Sequence, residues 1–238
     1  MNKLALCVLL ALTACNHAHV RTTESYLGPP MTPPERIYVA YFSITPDQVR
    51  LDQGIGARLK RAAEDQPPSG LELQAARDTQ AALAAHIVER LRKYGLPATI
   101  GDGRIGSQND LLLQGQIVTL DQGNRTRRIL IGLGAGRSRI GADTQIYHLT
   151  SFAPPRFVAA FEGEADSGRM PGAAETMGAG ALAQRAATSA ALTGAAHTAG
   201  ETRHASDTAE ARELGNQIAA RVAQLAVSQG WIPATALK

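Results

Sequence analysis

The sequence predicts an α+β domain, with a mixed or mainly antiparallel sheet of about four strands packed against two amphipathic helices. Two helical stripes and one alternating run predict it. Leu83, Ala84, Ile87, Val88, Leu91 and Tyr94 recur at three- and four-residue steps, the spacing that lines one face of a helix. Ser69 and Glu72 open that segment with capping-box spacing, and Gly95 followed by Pro97 closes it. Leu214, Ile218, Val222 and Leu225 form the second stripe within residues 207–229, where Asp207 and Glu210 have cap spacing. Gly230 ends it, and Trp231 and Ile232 are expected to fold back on its last turn. Between the stripes, Leu111, Leu113 and Ile117 alternate with Gln114 and Gln116, as in a strand with one buried face.

The remaining elements follow in chain order. Residues 16–35 carry Pro29, Pro30, Pro33 and Pro34 among polar residues, a composition that predicts an extended tether. His17 and His19 lie within it and lack the further ligands a metal site needs. The β-branched and aromatic run from Ile37 to Ile44 reads as a strand stopped by Pro46. Residues 47–68 show little periodicity, end at Pro67-Pro68, and read as loop with at most a helical turn. "LPATI" is a short extended piece before the turn "GDGRIGSQND". Two further strands begin at Arg139 and Arg156, and Pro154-Pro155 between them allows a hairpin. Residues 166–206 are rich in alanine and glycine and read as a mobile insert or a marginal helix, alanine favouring helix and glycine opposing it. Arg185 and its polar neighbours argue against a spanning helix there. His86, His197 and His204 have no partners at ligand spacing.

Composition bounds function before any motif does. Hydrophobic residues make up 44% and aromatics 4%, so the core is built from aliphatic side chains and alanine. A formal net charge of +3 is too small to argue for nucleic acid as a partner. The first residues, "MNKLALCVLLALTAC", place Lys3 before an apolar run from Leu4 to Leu12 that stops at Cys15. The run is too short to cross a bilayer but suits the apolar core of a secretory signal. Leu12-Thr13-Ala14-Cys15 has the form of a bacterial lipobox, whose cysteine thiol receives diacylglycerol. The expected organisation is therefore a signal peptide cleaved after residue 14, a lipidated tether over 15–35, and a single α+β domain over 36–238 with an insert at 166–206. Cys7 leaves with the signal. Cys15, occupied by lipid, is then the last cysteine, which rules out a disulfide, a catalytic thiol and a cysteine metal site. Acyl chains, palmitate among them, anchor such a protein stably when two or more are present. Asn16, where inner-membrane retention commonly uses Asp, points to the outer membrane with the domain facing the periplasm; the inner membrane is the alternative.

The segment "GNRTRRILIGLGAGRS" follows the Leu111–Leu120 strand. Its glycines, Gly132, Gly134 and Gly136, alternate; they do not follow the Gly-x-Gly-x-x-Gly pattern of a dinucleotide fold. No lysine falls between Lys93 and Lys238, which excludes a Walker loop. The glycines read as structural, permitting a sharp bend or a close backbone approach. Arg125, Arg127, Arg128, Arg137 and Arg139 cluster around them, with Arg104 a further candidate. Guanidinium groups match phosphate and carboxylate bidentately, so these five form a candidate anion- or partner-binding surface. Neither a Gly-x-Ser-x-Gly nor a His-Glu-x-x-His motif occurs. Glu162, Glu164 and Asp166 alternate along a strand, either as an exposed acidic edge or as paired acids. No catalytic residue, cofactor or metal site is expected.

The stretch "DLLLQGQIVTLDQGNRTRRILIGLGAGRSRIGADTQIYHL" resembles the central signature of the domain of unknown function 4410, a family of bacterial lipoproteins. The matching positions are Gly115, Gly123, Asn124, Arg125, Arg128, Gly132, Gly134, Gly136 and Ser138, and the likeness extends over about residues 37–230. The resemblance implies the lipoprotein address and the domain class, and no activity. Function is accordingly expected to be that of a lipid-anchored cell-envelope protein, a non-enzymatic binding or scaffolding module on the periplasmic side of the outer membrane. Its partners would be the membrane, through Cys15, and an envelope protein or anionic envelope component. An accessory subunit of a secretion or export apparatus is one alternative. A hydrolase acting on glycan or lipid through Glu162 or Glu164 is another.

Overall fold

The computed structural model describes residues 17–63, 68–103, 109–124, 127, 135–150, 153–168 and 198–237. Its strands are β1 (His17–Ser25), β2 (Ile37–Val39), β3 (Val49–Arg50), β4 (Ala98–Ile100), β5 (Asp110–Asp121), β6 (Arg139–Leu149) and β7 (Arg156–Asp166). Its helices are α1 (Ile55–Ala63), α2 (Pro68–Lys93) and α3 (Thr198–Ser228), with short 3-10 turns at Pro46–Gln48 and Ala234–Leu237. The seven strands join one open mixed sheet in the order β1-β7-β6-β5-β2-β4, and β3 also pairs with β5. The α+β class stands, and the expected four strands become seven.

β5, β6 and β7 form an antiparallel meander, and the expected hairpin of β6 and β7 is present. β2 pairs with β5 in parallel, and β4 pairs in parallel with the other edge of β2. β2 covers only part of the expected Ile37–Ile44 strand. A single bridge from Ser43 to Gln116 follows, and Pro46 then turns the chain through its 3-10 helix into β3, which rejoins β5 at Leu120 and Asp121. Proline lacks the N–H that a continued ladder would use, so the pairing with β5 does not run through Pro46 and resumes at β3.

Two stretches differ from their sequence reading. The N-terminal part of the expected tether, residues 17–25, is the edge strand β1, antiparallel to β7. Among the described side chains of β1, Val20 is buried in the core, at 1% exposure, and Ala18 packs partly buried against it. A strand with so few apolar inward side chains and a polar outer face has the composition of a tether, and its pairing partner lies more than a hundred residues away. Arg221 Nε holds it further by donating to the Val20 carbonyl at 2.8 Å. The other difference is α1, where a loop was expected over 47–68. It turns Ile55 and Leu59 outward and Ala57 inward, so no core-facing period marks it.

α2 and α3 lie side by side on one face of the sheet. Leu83, Ile87 and Leu91 of α2 and Leu214, Ile218 and Val222 of α3 are fully buried, against Leu111, Leu113, Ile117, Ile140 and Ile146 of the sheet. Both sequence stripes thus mark core faces. Gly215 permits the close approach, since a Cβ there would lie 3.2 Å from His86 Cβ and 3.3 Å from the Leu83 carbonyl oxygen. Trp231 folds back as expected, its backbone N–H donating to Ala226 and its indole to the Met31 carbonyl. Within the alanine-rich segment, residues 198–206 belong to α3, and 169–197 lie outside the described residues. The opposite sheet face presents Gln114, Gln116, Asp143, Gln145, Glu162 and Glu164 to solvent.

Registers put one end of the sheet in a row. Asp121 at the end of β5 pairs with Arg139 at the start of β6, Arg139 with Asp166 at the end of β7, and Asp166 with His17 at the start of β1.

Candidate functional site

That row of strand ends carries an open cleft of about 790 Å³. Four arginines line it, Arg50, Arg127, Arg137 and Arg139, together with Asp47 and Asp121. Hydrogen bonds within and between two loops hold it. Gly123 N–H donates to Asp121 Oδ1 at 2.8 Å, and Asn124 N–H donates to the Gly136 carbonyl at 3.0 Å. Asn124 Oδ1 in turn accepts the Arg127 N–H at 2.9 Å, fixing the start of the arginine segment.

Both loops require glycine. Gly123 and Gly136 have φ of +70° and +73°, the left-handed region that side chains disfavour. A Cβ at Gly123 would overlap the carbonyl oxygens of Gly136 and Arg137, and one at Gly136 would overlap that of Asn124. The loops therefore touch backbone to backbone. Below them Ser138 is buried, its hydroxyl donating to Glu210 Oε1 on α3 at 2.7 Å.

β3 brings a second segment to the cleft. Gln122 N–H donates to the Arg50 carbonyl at 2.9 Å and Gln53 N–H to the Gly123 carbonyl at 3.2 Å, so Arg50 and Gln53 reach the wall from across the sheet. Sequence reasoning missed both, because Arg50 lies more than seventy residues from the arginine cluster and only parallel pairing joins them. A residue pattern that resumed β structure after Pro46 would have been the signal, and two residues are too few to carry one.

The four guanidinium groups are not equivalent. Arg137 pairs with Asp166 at 3.2 Å and Arg139 with Glu164 at 2.8 Å. Arg50 and Arg127 are exposed and make no ion pair among the described residues. These two are the groups able to meet an incoming anion without displacing a carboxylate.

Of the residues expected at the site, Arg127, Arg137, Arg139 and Gly136 are brought together. Arg125, Arg128, Gly132, Gly134 and Cys15, with Arg104, lie outside the described residues. Glu162 and Glu164 sit on the solvent-facing side of β7. They line a second open recess of about 770 Å³ with His19, Arg21, Asp143 and Glu213. Glu162 pairs with Arg21 and Glu164 with Arg139. Among the described residues no group of three or more metal-ligating side chains occurs, and no helix is long and apolar enough to cross a membrane.

Away from the cleft, two histidines titrate below their usual range. Burial, reinforced by Arg156, holds the His148 imidazole below its usual range against the opposing pull of Asp110. Its Nε2 lies 2.8 Å from Asn109 Oδ1. Burial and Arg212 likewise lower His86, where α2 meets α3.

No curated protein matches the chain. Among solved structures, a dodecamer of a PelC variant from Paraburkholderia phytofirmans is similar, with a TM-score of 0.38 and 10% identity over 85% of this chain and 98% of that one. A likeness at that level carries no argument. The family model described as Domain of unknown function (DUF4410) matches residues 37–184. The match spans β2 to β7, with the arginine and glycine segment inside it, and covers well over half of the 238 residues. The chain belongs to the domain of unknown function 4410 family.

Proposed function

We propose that this protein is a lipid-anchored component of the bacterial cell envelope, held through Cys15 on the periplasmic side of the outer membrane. It acts there as a non-enzymatic binding module. One observation carries the reading: arginines from β3, from the segment after β5 and from the start of β6 converge on one open cleft, two of them without an ion pair among the described residues. Convergence of planar donors at one concavity suits a phosphate- or carboxylate-bearing ligand. The acids that a hydrolase would use are each engaged by an arginine on a solvent-facing strand, which supports binding over catalysis.

The test has two parts. Metabolic labelling with a palmitate analogue should mark the protein, and Cys15→Ser should abolish the label and release the protein from the membrane fraction. Charge reversal by Arg50→Glu with Arg127→Glu should weaken capture of anionic envelope material by more than about tenfold, since each lost charge-assisted bond is worth roughly 1.5 kcal/mol. Unchanged capture by a folded double variant would refute the cleft as the binding surface.

A further inference from the structure

α1 is an amphipathic helix mounted inside out. Ile55, Leu59 and Ala62 share one face by helical spacing, while Ala57 lies on the other. Ile55 and Leu59 are 67% and 65% exposed, whereas Ala57 is 6% exposed. The apolar face thus looks away from the protein, with Arg58 exposed at its margin. A helix of this composition, basic at the flank and apolar on its free face, suits the headgroup boundary of a bilayer.

Its position strengthens the assignment. The chain leaves β3 alongside the end of β5, Gln53 bonds to Gly123, and α1 starts two residues later, so it lies next to the arginine cleft. Val118, which is 39% exposed, lines that cleft. The start of β1 is in the same row of strand ends, His17 standing opposite Asp166 and Asp166 opposite Arg139. Cys15 precedes His17 by two residues, a reach of about 7 Å at full extension. β5 has twelve residues, so the far end of the sheet is about 40 Å away.

We infer that this end of the domain rests on the bilayer that holds the anchor, with Ile55 and Leu59 entering the headgroup region of anionic phospholipids and Arg50, Arg58 and Arg127 meeting their phosphates. The inference rests on lipidation at Cys15 and deepens the cleft reading by naming its anion. It reverses the picture of a domain lifted away by a tether: β1 begins within two residues of the lipid, and the polar proline segment lies beyond the strand, after Ser25.

The test uses the full-length lipidated protein in phosphatidylethanolamine–phosphatidylglycerol vesicles. Once Cys15 is acylated, Leu59→Cys supplies a single thiol for a fluorophore, and Ala153→Cys, in the turn between β6 and β7 at the far end, is the control. Quenchers carried on the lipid chains should quench the probe at 59 several-fold more than that at 153. Adding Arg58→Glu should weaken the quenching at 59 while leaving the control unchanged. Equal quenching at the two positions, or stronger quenching at 153, would overturn the inference. Quenching at 59 between labelled copies, without quenching by lipid, would overturn it by assigning the stripe to a second copy. Mass measurement of Cys15 on the same preparation separates the readings, because an unmodified cysteine refutes the anchor itself.

Discussion

His86 and His148 set the residue-scale behaviour that acidification should expose. His148 and His86 are both held below their usual range by burial. In the unfolded chain they protonate near pH 6.5, before they do so in the folded one. The unfolded state therefore binds more protons as pH falls, and stability declines from about pH 6.5 downward towards the depressed folded values. Urea unfolding at neutral and mildly acidic pH should show that decline, and His148→Gln with His86→Gln should flatten it. An unaltered slope in the double variant would remove the histidines as its cause. Gly123 and Gly136 give a second prediction at this scale. Replacing either by Ala forces a side chain into the left-handed region and onto facing carbonyls. Each should cost more than about 1 kcal/mol in the same unfolding measurement. Of the three alternating glycines read as structural, Gly136 shows the geometry that required it.

At the scale of elements, legibility in the sequence tracked burial. α2, β5 and α3 were readable because each buries one regular stripe, and the stripe residues Leu83, Leu113 and Ile218 are completely buried. Ile87→Ala, which empties space between α2, α3 and the sheet, should cost about 2–5 kcal/mol in chemical denaturation. β1 and α1 were not readable for the opposite reason. β1 contributes Val20 and, partly buried, Ala18 to the core, and α1 presents Ile55 and Leu59 to the outside. Val20→Asp should therefore loosen β1 selectively. Hydrogen exchange would then speed up over residues 17–25 while the β5–β6 pairing keeps its protection. Exchange that rises equally across the sheet would mean that β1 is integral to the whole fold.

Across the whole molecule, the candidate site was half legible. Arg127, Arg137 and Arg139 form a local cluster in sequence and a local cluster in space. Arg50 joins them only through the parallel pairing of β3 with β5, a long-range contact that leaves no trace in composition or spacing. The same topology gathers the start of β1, the cleft and α1 at one end, which gives the molecule a polarity along its strands. The central claim is that this end, and the cleft in it, is where the protein meets the envelope. Photocrosslinking in living cells from Gln53, inside the cleft, against Ala153 at the other end tests it most directly. The account predicts phosphate-bearing adducts from Gln53 that disappear with Arg50→Glu and Arg127→Glu, and none from Ala153. No adduct from Gln53, in cells where the protein is folded and palmitoylated, would contradict it.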